Sequence, residues 1–182
     1  MNEAPDAALA ARLDPIIDAA LASQRIVGGV ALVARGGSLV YARAAGLADR
    51  EAGQAMSRDA IFRASSLSKP IVTGAALALV EAGVMRLDDP VTKFLPDFKP
   101  ALDGQAPTIT IRQLLTHTAG LSYGFMQPDD GPYLRLGVSD GMDQPGLGFD
   151  TQLGRIVEAG LSYPPGAAWL YSVSMDVLEP SP

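Results

Sequence analysis

Cysteine is missing from the 182 residues, and histidine occurs once, at His117. The first absence excludes disulfides and thiolate metal sites, and the second excludes any metal site built from several histidines. No glycine-rich phosphate loop followed by Lys-Ser or Lys-Thr is present. Basic charge is scarce: 14 Lys and Arg stand against 20 Asp and Glu, a net charge of −6. That balance argues against nucleic acid or an anionic membrane as a partner. The apolar stretch 70–80 is too short to span a bilayer. The N-terminus carries Glu3 and Asp6 and lacks a basic segment followed by an apolar one. No signal peptide is visible, so a cytoplasmic location is expected. The paired carboxylates Asp88-Asp89 and Asp129-Asp130 stand beside Pro90 and Gly131-Pro132 and read as solvated turns.

What is present is a globular composition, 48% hydrophobic and 19% charged, long enough for one ordinary domain with a core. Residues 6–23 place Leu9, Leu13, Ile16, Ile17 and Leu21 at helical steps. Two β-rich runs, 26–34 and 39–42, flank Arg35-Gly36-Gly37-Ser38 and predict a hairpin. Residues 46–62 read as a polar loop. A lone two-stranded hairpin is marginal in water, and its neighbours are not obvious elsewhere in the chain. Thr110 to Gly120 carries an N-cap, apolar 3/4 spacing and a closing glycine, which predicts a helix. Residues 122–150 read as a long loop, 151–161 as a helix, and 169–178 as the start of a further element.

The most informative stretch is Ser66-Leu67-Ser68-Lys69, followed by the apolar run 70–80. If helix begins near Ser66, positions i and i+3 share a face and the Lys69 amine reaches the Ser66 hydroxyl. A helix apolar on every side belongs in the interior. Burial and the positive end of the helix dipole would then both favour a neutral Lys69, able to act as a base towards serine.

A second serine competes. Gly137-Val138-Ser139-Asp140-Gly141 matches G-x-S-x-G, but Tyr133 to Leu136 is a short lead-in and the glycines and Pro145 that follow cannot build the helix that motif needs. The only histidine precedes Ser139 instead of following it, so Ser139 is expected to be a loop residue. Tyr171, behind the turn Pro164-Pro165-Gly166, is a candidate third group for Ser66 and Lys69. Trp169 is expected in the core or a cleft wall.

Together, Phe62 to Pro70, Leu87 to Val91, Ile111 to Leu121 and Pro165 to Ser172 resemble the serine β-lactamase and DD-peptidase superfamily. The closest likeness is to the class C β-lactamase-like carboxylesterases, the family VIII esterases, over residues 9–178. The resemblance implies an α/β (α+β) fold, an antiparallel sheet flanked by helices plus a mainly helical region. It divides the chain into 1–62, with the first helix and hairpin, and 63–182, with the site motifs. It also implies a serine hydrolase that cleaves short-chain carboxylic esters, with no metal or other cofactor and a small ester as its partner. Ser66 would be acylated, Lys69 would be its base or proton relay, Tyr171 would complete the relay and protonate the leaving group, and His117 would be structural. Val173 stands where β-lactamases and DD-peptidases carry Asn, which weakens β-lactamase or DD-peptidase activity as the alternative. Family members continue into further strands, so the chain is expected to be an N-terminal portion. It would then need a complementary C-terminal chain, self-associate through its open sheet edge, or be a non-catalytic fragment.

Overall fold

The Asp6 carboxylate caps the first helix, α1 (Ala7–Ala22), by accepting from the Leu9 N–H at 2.9 Å. The structure, a computed structural model, describes residues 6–142 and 146–178. Pro145, read above as unable to continue a helix after Ser139, therefore lies outside the described residues, as do Asp143, Gln144 and Glu179 to Pro182. Two units divide between Arg63 and Ala64.

In the first unit, strands β1 (Gly28–Arg35) and β2 (Ser38–Asp49) form the expected antiparallel hairpin, paired from Gly28 with Gly46 to Arg35 with Ser38. Gly36 and Gly37 both have positive φ, 56° and 79°. That is the two-residue turn whose twist matches the strands, and it demands residues without a Cβ penalty. The loop expected over 46–62 is partly strand. β2 runs on to Asp49, and β3 (Gln54–Ala55) adds a short third strand, with Leu47 opposite Ala55. The tight turn over Arg50 to Gly53 allows this return. Helix α1 is fastened to β2 by polar contacts. The Tyr41 hydroxyl donates to Asp14 at 2.8 Å, and Arg43 donates to the Asp14 carboxylate at 3.0 Å and to Asp18.

The second unit carries the main core, in which Leu114, Leu121, Tyr133, Ile156 and Val173 are completely buried. Helix α2 (Ser68–Glu81) opens it, preceded by a 3-10 turn over Ser65–Leu67. Pro70 falls in the first turn of α2, where its missing N–H leaves no bond unmade. Helix α3 (Ile111–Leu115) starts on a reciprocal capping box. Thr110 accepts from the Gln113 N–H, and the Gln113 side chain accepts from the Thr110 N–H. It ends well before the predicted Gly120, because His117 takes a left-handed φ of 54° and cannot continue the helix.

The long loop expected over 122–150 contains a 3-10 turn, Gly124–Met126, and the short helix α4 (Pro132–Arg135). The Tyr133 hydroxyl donates to the Gly160 carbonyl at 3.1 Å, just past α5 (Phe149–Ala159). A closing 3-10 helix, Val173–Leu178, packs on α2 and α3. Among the described residues no helix is long and apolar enough to cross a membrane.

One expectation about α2 fails. Of its residues only Ala76 is buried, while Ile71, Leu77 and Leu79 are exposed. Apolarity all round tells what each face could bury; the face towards Val173–Leu178 finds its partner there, while Ile71, Leu77 and Leu79 stay exposed.

Gly120 shows how tightly the α3 exit is built. Its φ is 88°, and a Cβ there would lie 2.3 Å from the Tyr163 carbonyl oxygen. Gly120→Ala combines backbone strain with a clash against main chain, so it is expected to destabilise by about 1–3 kcal/mol. Urea unfolding of the variant measures this.

Candidate active site

The 3-10 turn before α2 places Ser66 at the helix entrance, and α2 itself begins at Ser68. Ser65 enters the turn with a left-handed φ of 45°. From the other end of the unit, the Tyr171 hydroxyl donates to Ser66 Oγ at 2.8 Å. Lys69 Nζ lies over the Tyr171 ring, 4.9 Å from its centroid, and donates to the hydroxyl of Tyr123 at 3.0 Å. The three predicted residues are thus brought together. They line an open cavity of about 550 Å³ shared with Thr73, His117 and Met175.

Tyr123 was not singled out from the sequence. It follows the glycine break at Gly120 by three residues and is almost fully buried, with its ring stacked on Phe125 at 4.9 Å. A buried tyrosine in a turn beside a motif is a weak signal. Only its distance from Lys69 in space gives it a part in this cluster.

The charges run against the neutral-lysine expectation. Burial pulls the Lys69 ammonium down, but hydrogen bonds to Tyr123 and Tyr171 outweigh it, and the pKa is raised. Burial pushes the Tyr171 phenol up, but the hydrogen bond with Ser66 and the bond and charge of Lys69 outweigh it, and the pKa is lowered. Tyr123 goes the other way: burial raises it above the ordinary tyrosine value despite Lys69. The arrangement therefore favours a protonated Lys69 between a neutral phenol and one that gives up its proton more readily than usual. Burial and the helix dipole alone would favour the neutral amine; two tyrosine oxygens from distant segments reverse that balance.

The remaining candidates separate clearly. Ser139 lies in irregular chain. Its N–H donates to the Gln152 side chain at 3.1 Å, and its hydroxyl accepts from the Gly141 N–H at 3.0 Å. It serves a local turn, as expected. His117 meets the cluster through its ring, 4.7 Å from that of Tyr171. Trp169 is not core: it is 67% exposed and touches His117 edge-on at 6.5 Å. Val173 is completely buried and offers no side-chain donor. Asp88 pairs with Arg112 and Asp89 with Lys93, so that acidic turn is held by surface ion pairs.

Comparison with known proteins gives a consistent picture. The family described as Beta-lactamase matches residues 13–178. Esterase EstB of Burkholderia gladioli is 51% identical over 173 residues, covering 94% of this chain and 44% of the relative. Monacolin J acid methylbutanoyltransferase of Aspergillus terreus is 33% identical over 202 residues, covering 97% of this chain and 47% of the relative. Among solved structures, EstCE1, described as a hydrolase with promiscuous acyltransferase activity, superposes with a TM-score of 0.88 at 47% identity. That match covers 93% of this chain and 45% of the other. The chain spans about half the length of the curated relatives it matches.

Proposed function

We propose that this chain, which belongs to the beta-lactamase family, cleaves carboxylic esters by two-step acyl transfer through Ser66. The observation that carries the reading is the 2.8 Å contact between the Tyr171 hydroxyl and Ser66 Oγ, made beside the Lys69 ammonium. In the reactive form Tyr171 is the phenolate and accepts the Ser66 proton. Ser66 Oγ then attacks the ester carbonyl carbon, and Tyr171 returns the proton to the departing alkoxide. In the second step Tyr171 takes a proton from water, the resulting hydroxide attacks the acyl carbon, and Tyr171 returns that proton to Ser66 Oγ as the bond to the acyl carbon breaks, releasing the acid and restoring both Ser66 and the phenolate. Lys69 holds the phenolate by its positive charge, and Tyr123 holds Lys69. This gives Tyr171 the role of immediate base and Lys69 that of its electrostatic support.

An acyl-enzyme can also be emptied by an alcohol, which makes transfer a second outcome of the same first step. The names of EstCE1 and of the Aspergillus methylbutanoyltransferase favour keeping that outcome in view. Turnover of β-lactams is less favoured, since the buried Val173 supplies no amide where the resemblance expects one.

The test is covalent. Treated with an alkyl fluorophosphonate, the chain is expected to gain one phosphonyl group by intact mass, with the adduct on the peptide containing Ser66. An adduct on Ser139, or none on a folded chain, would overturn the proposal.

A further inference from the structure

His117 grips the chain on both sides of Tyr171. Its main-chain carbonyl accepts from the Leu170 N–H at 3.0 Å, and its ring Nδ1 accepts from the Ser172 N–H at 3.2 Å. Its ring packs on the Tyr171 ring with centroids 4.7 Å apart. A peptide N–H can only donate, so Nδ1 must be the unprotonated nitrogen and the ring a neutral Nε2–H tautomer. Burial and the charge of Lys69 both favour that neutral form. The Ser172 hydroxyl, 3.4 Å from Nδ1, lies 2.6 Å from the Ser174 hydroxyl, so the grip continues into the buried start of the closing 3-10 helix. The residue also holds a left-handed φ of 54°. A histidine there spends its backbone freedom on bringing both of its acceptors to one short segment.

We infer that His117 is the positioning residue for Tyr171: through its carbonyl, Nδ1 and ring face it keeps the phenol hydroxyl at Ser66 Oγ. This rests on the reading of Tyr171 as the base and goes beyond a general support of the fold. The chemistry names a conservative replacement. Asn carries its side-chain oxygen the same number of bonds from Cα as Nδ1, and it tolerates left-handed backbone better than other non-glycine residues. Leu carries no acceptor.

The experiment measures the rate of Ser66 phosphonylation in the wild type, His117→Leu, His117→Asn, Tyr171→Phe and His117→Leu/Tyr171→Phe. Misplacing a reacting group by about 1 Å costs up to about 100-fold, so His117→Leu is expected to lose about 10- to 100-fold. In the Tyr171→Phe background the same change should cost about twofold or less, because the group it serves is gone. His117→Asn should recover most of the loss. Equal losses in both backgrounds, or an Asn variant no better than Leu, would overturn the inference. If His117→Leu does not fold, His117→Asn carries the test, and a loss as large as that of Tyr171→Phe overturns it. A second readout is independent of acylation: with 13C-labelled tyrosine, the Tyr171 phenol should titrate nearer the ordinary tyrosine value in the His117 variant. An unchanged titration would overturn the positioning role even where labelling behaves as expected. A wild type that titrates as described but never labels would instead remove the reading of Ser66.

Discussion

Ser66→Ala is expected to abolish covalent labelling and to lower ester turnover on the order of 10⁶-fold, the loss seen when a nucleophile is removed from a catalytic unit. Ser139→Ala should leave both within about twofold. The contrast follows from where the two hydroxyls point. Ser66 Oγ meets the Tyr171 hydroxyl at the mouth of an open cavity, whereas Ser139 Oγ is committed to the Gly141 N–H. Removing the second costs a local turn and no chemistry. The measurement is hydrolysis of a short-chain p-nitrophenyl ester alongside fluorophosphonate labelling, with circular dichroism to confirm folding. Equal losses in the two variants would break the assignment.

Acylation should rise with pH along a single limb set by Tyr171. The phenol must be deprotonated to accept the Ser66 proton. Its pKa is lowered, so the rate should climb to a plateau at a pH below that of ordinary tyrosine ionisation, about 10. In the proposed mechanism Lys69 acts in its protonated form, and its pKa is raised, so no alkaline fall should begin below the ordinary lysine value, about 10.4. Tyr171→Phe is expected to remove the limb and to cost about 10²–10⁴ in rate, the usual contribution of a positioned base. Lys69→Met should shift the limb towards higher pH, because the charge that favours the phenolate is gone. The two losses should combine to less than their product, since the groups act as one unit. A limb that survives in Tyr171→Phe would return the base to Lys69.

How far the sequence anticipates this site depends on how local each determinant is. The N-cap of α3 was legible because Thr110 stands directly before the apolar-periodic run it caps. The hairpin turn was legible because two glycines at one point have few other uses. The end of α3 was not, since a histidine in left-handed backbone looks like any helical residue until its acceptors are seen to serve Leu170 and Ser172. The charge of Lys69 was misjudged for the same reason: Tyr123, which turns the balance, lies 54 residues away. Tyr171 stood out only as a candidate behind a turn, and the family resemblance is what tied it to Ser66 and Lys69. Spacing alone brings the first two together and says nothing of the third.

The left-handed Ser65 has a consequence for how this site could change over time. A residue with a side chain held at φ 45° immediately before Ser66 stores conformational strain where the hydroxyl is aimed. Glycine at this position would release the strain and also free the turn to point elsewhere. Position 65 is therefore a place where stability and activity pull in opposite directions, and selection for a hardier protein alone would tend to erode the aim of Ser66.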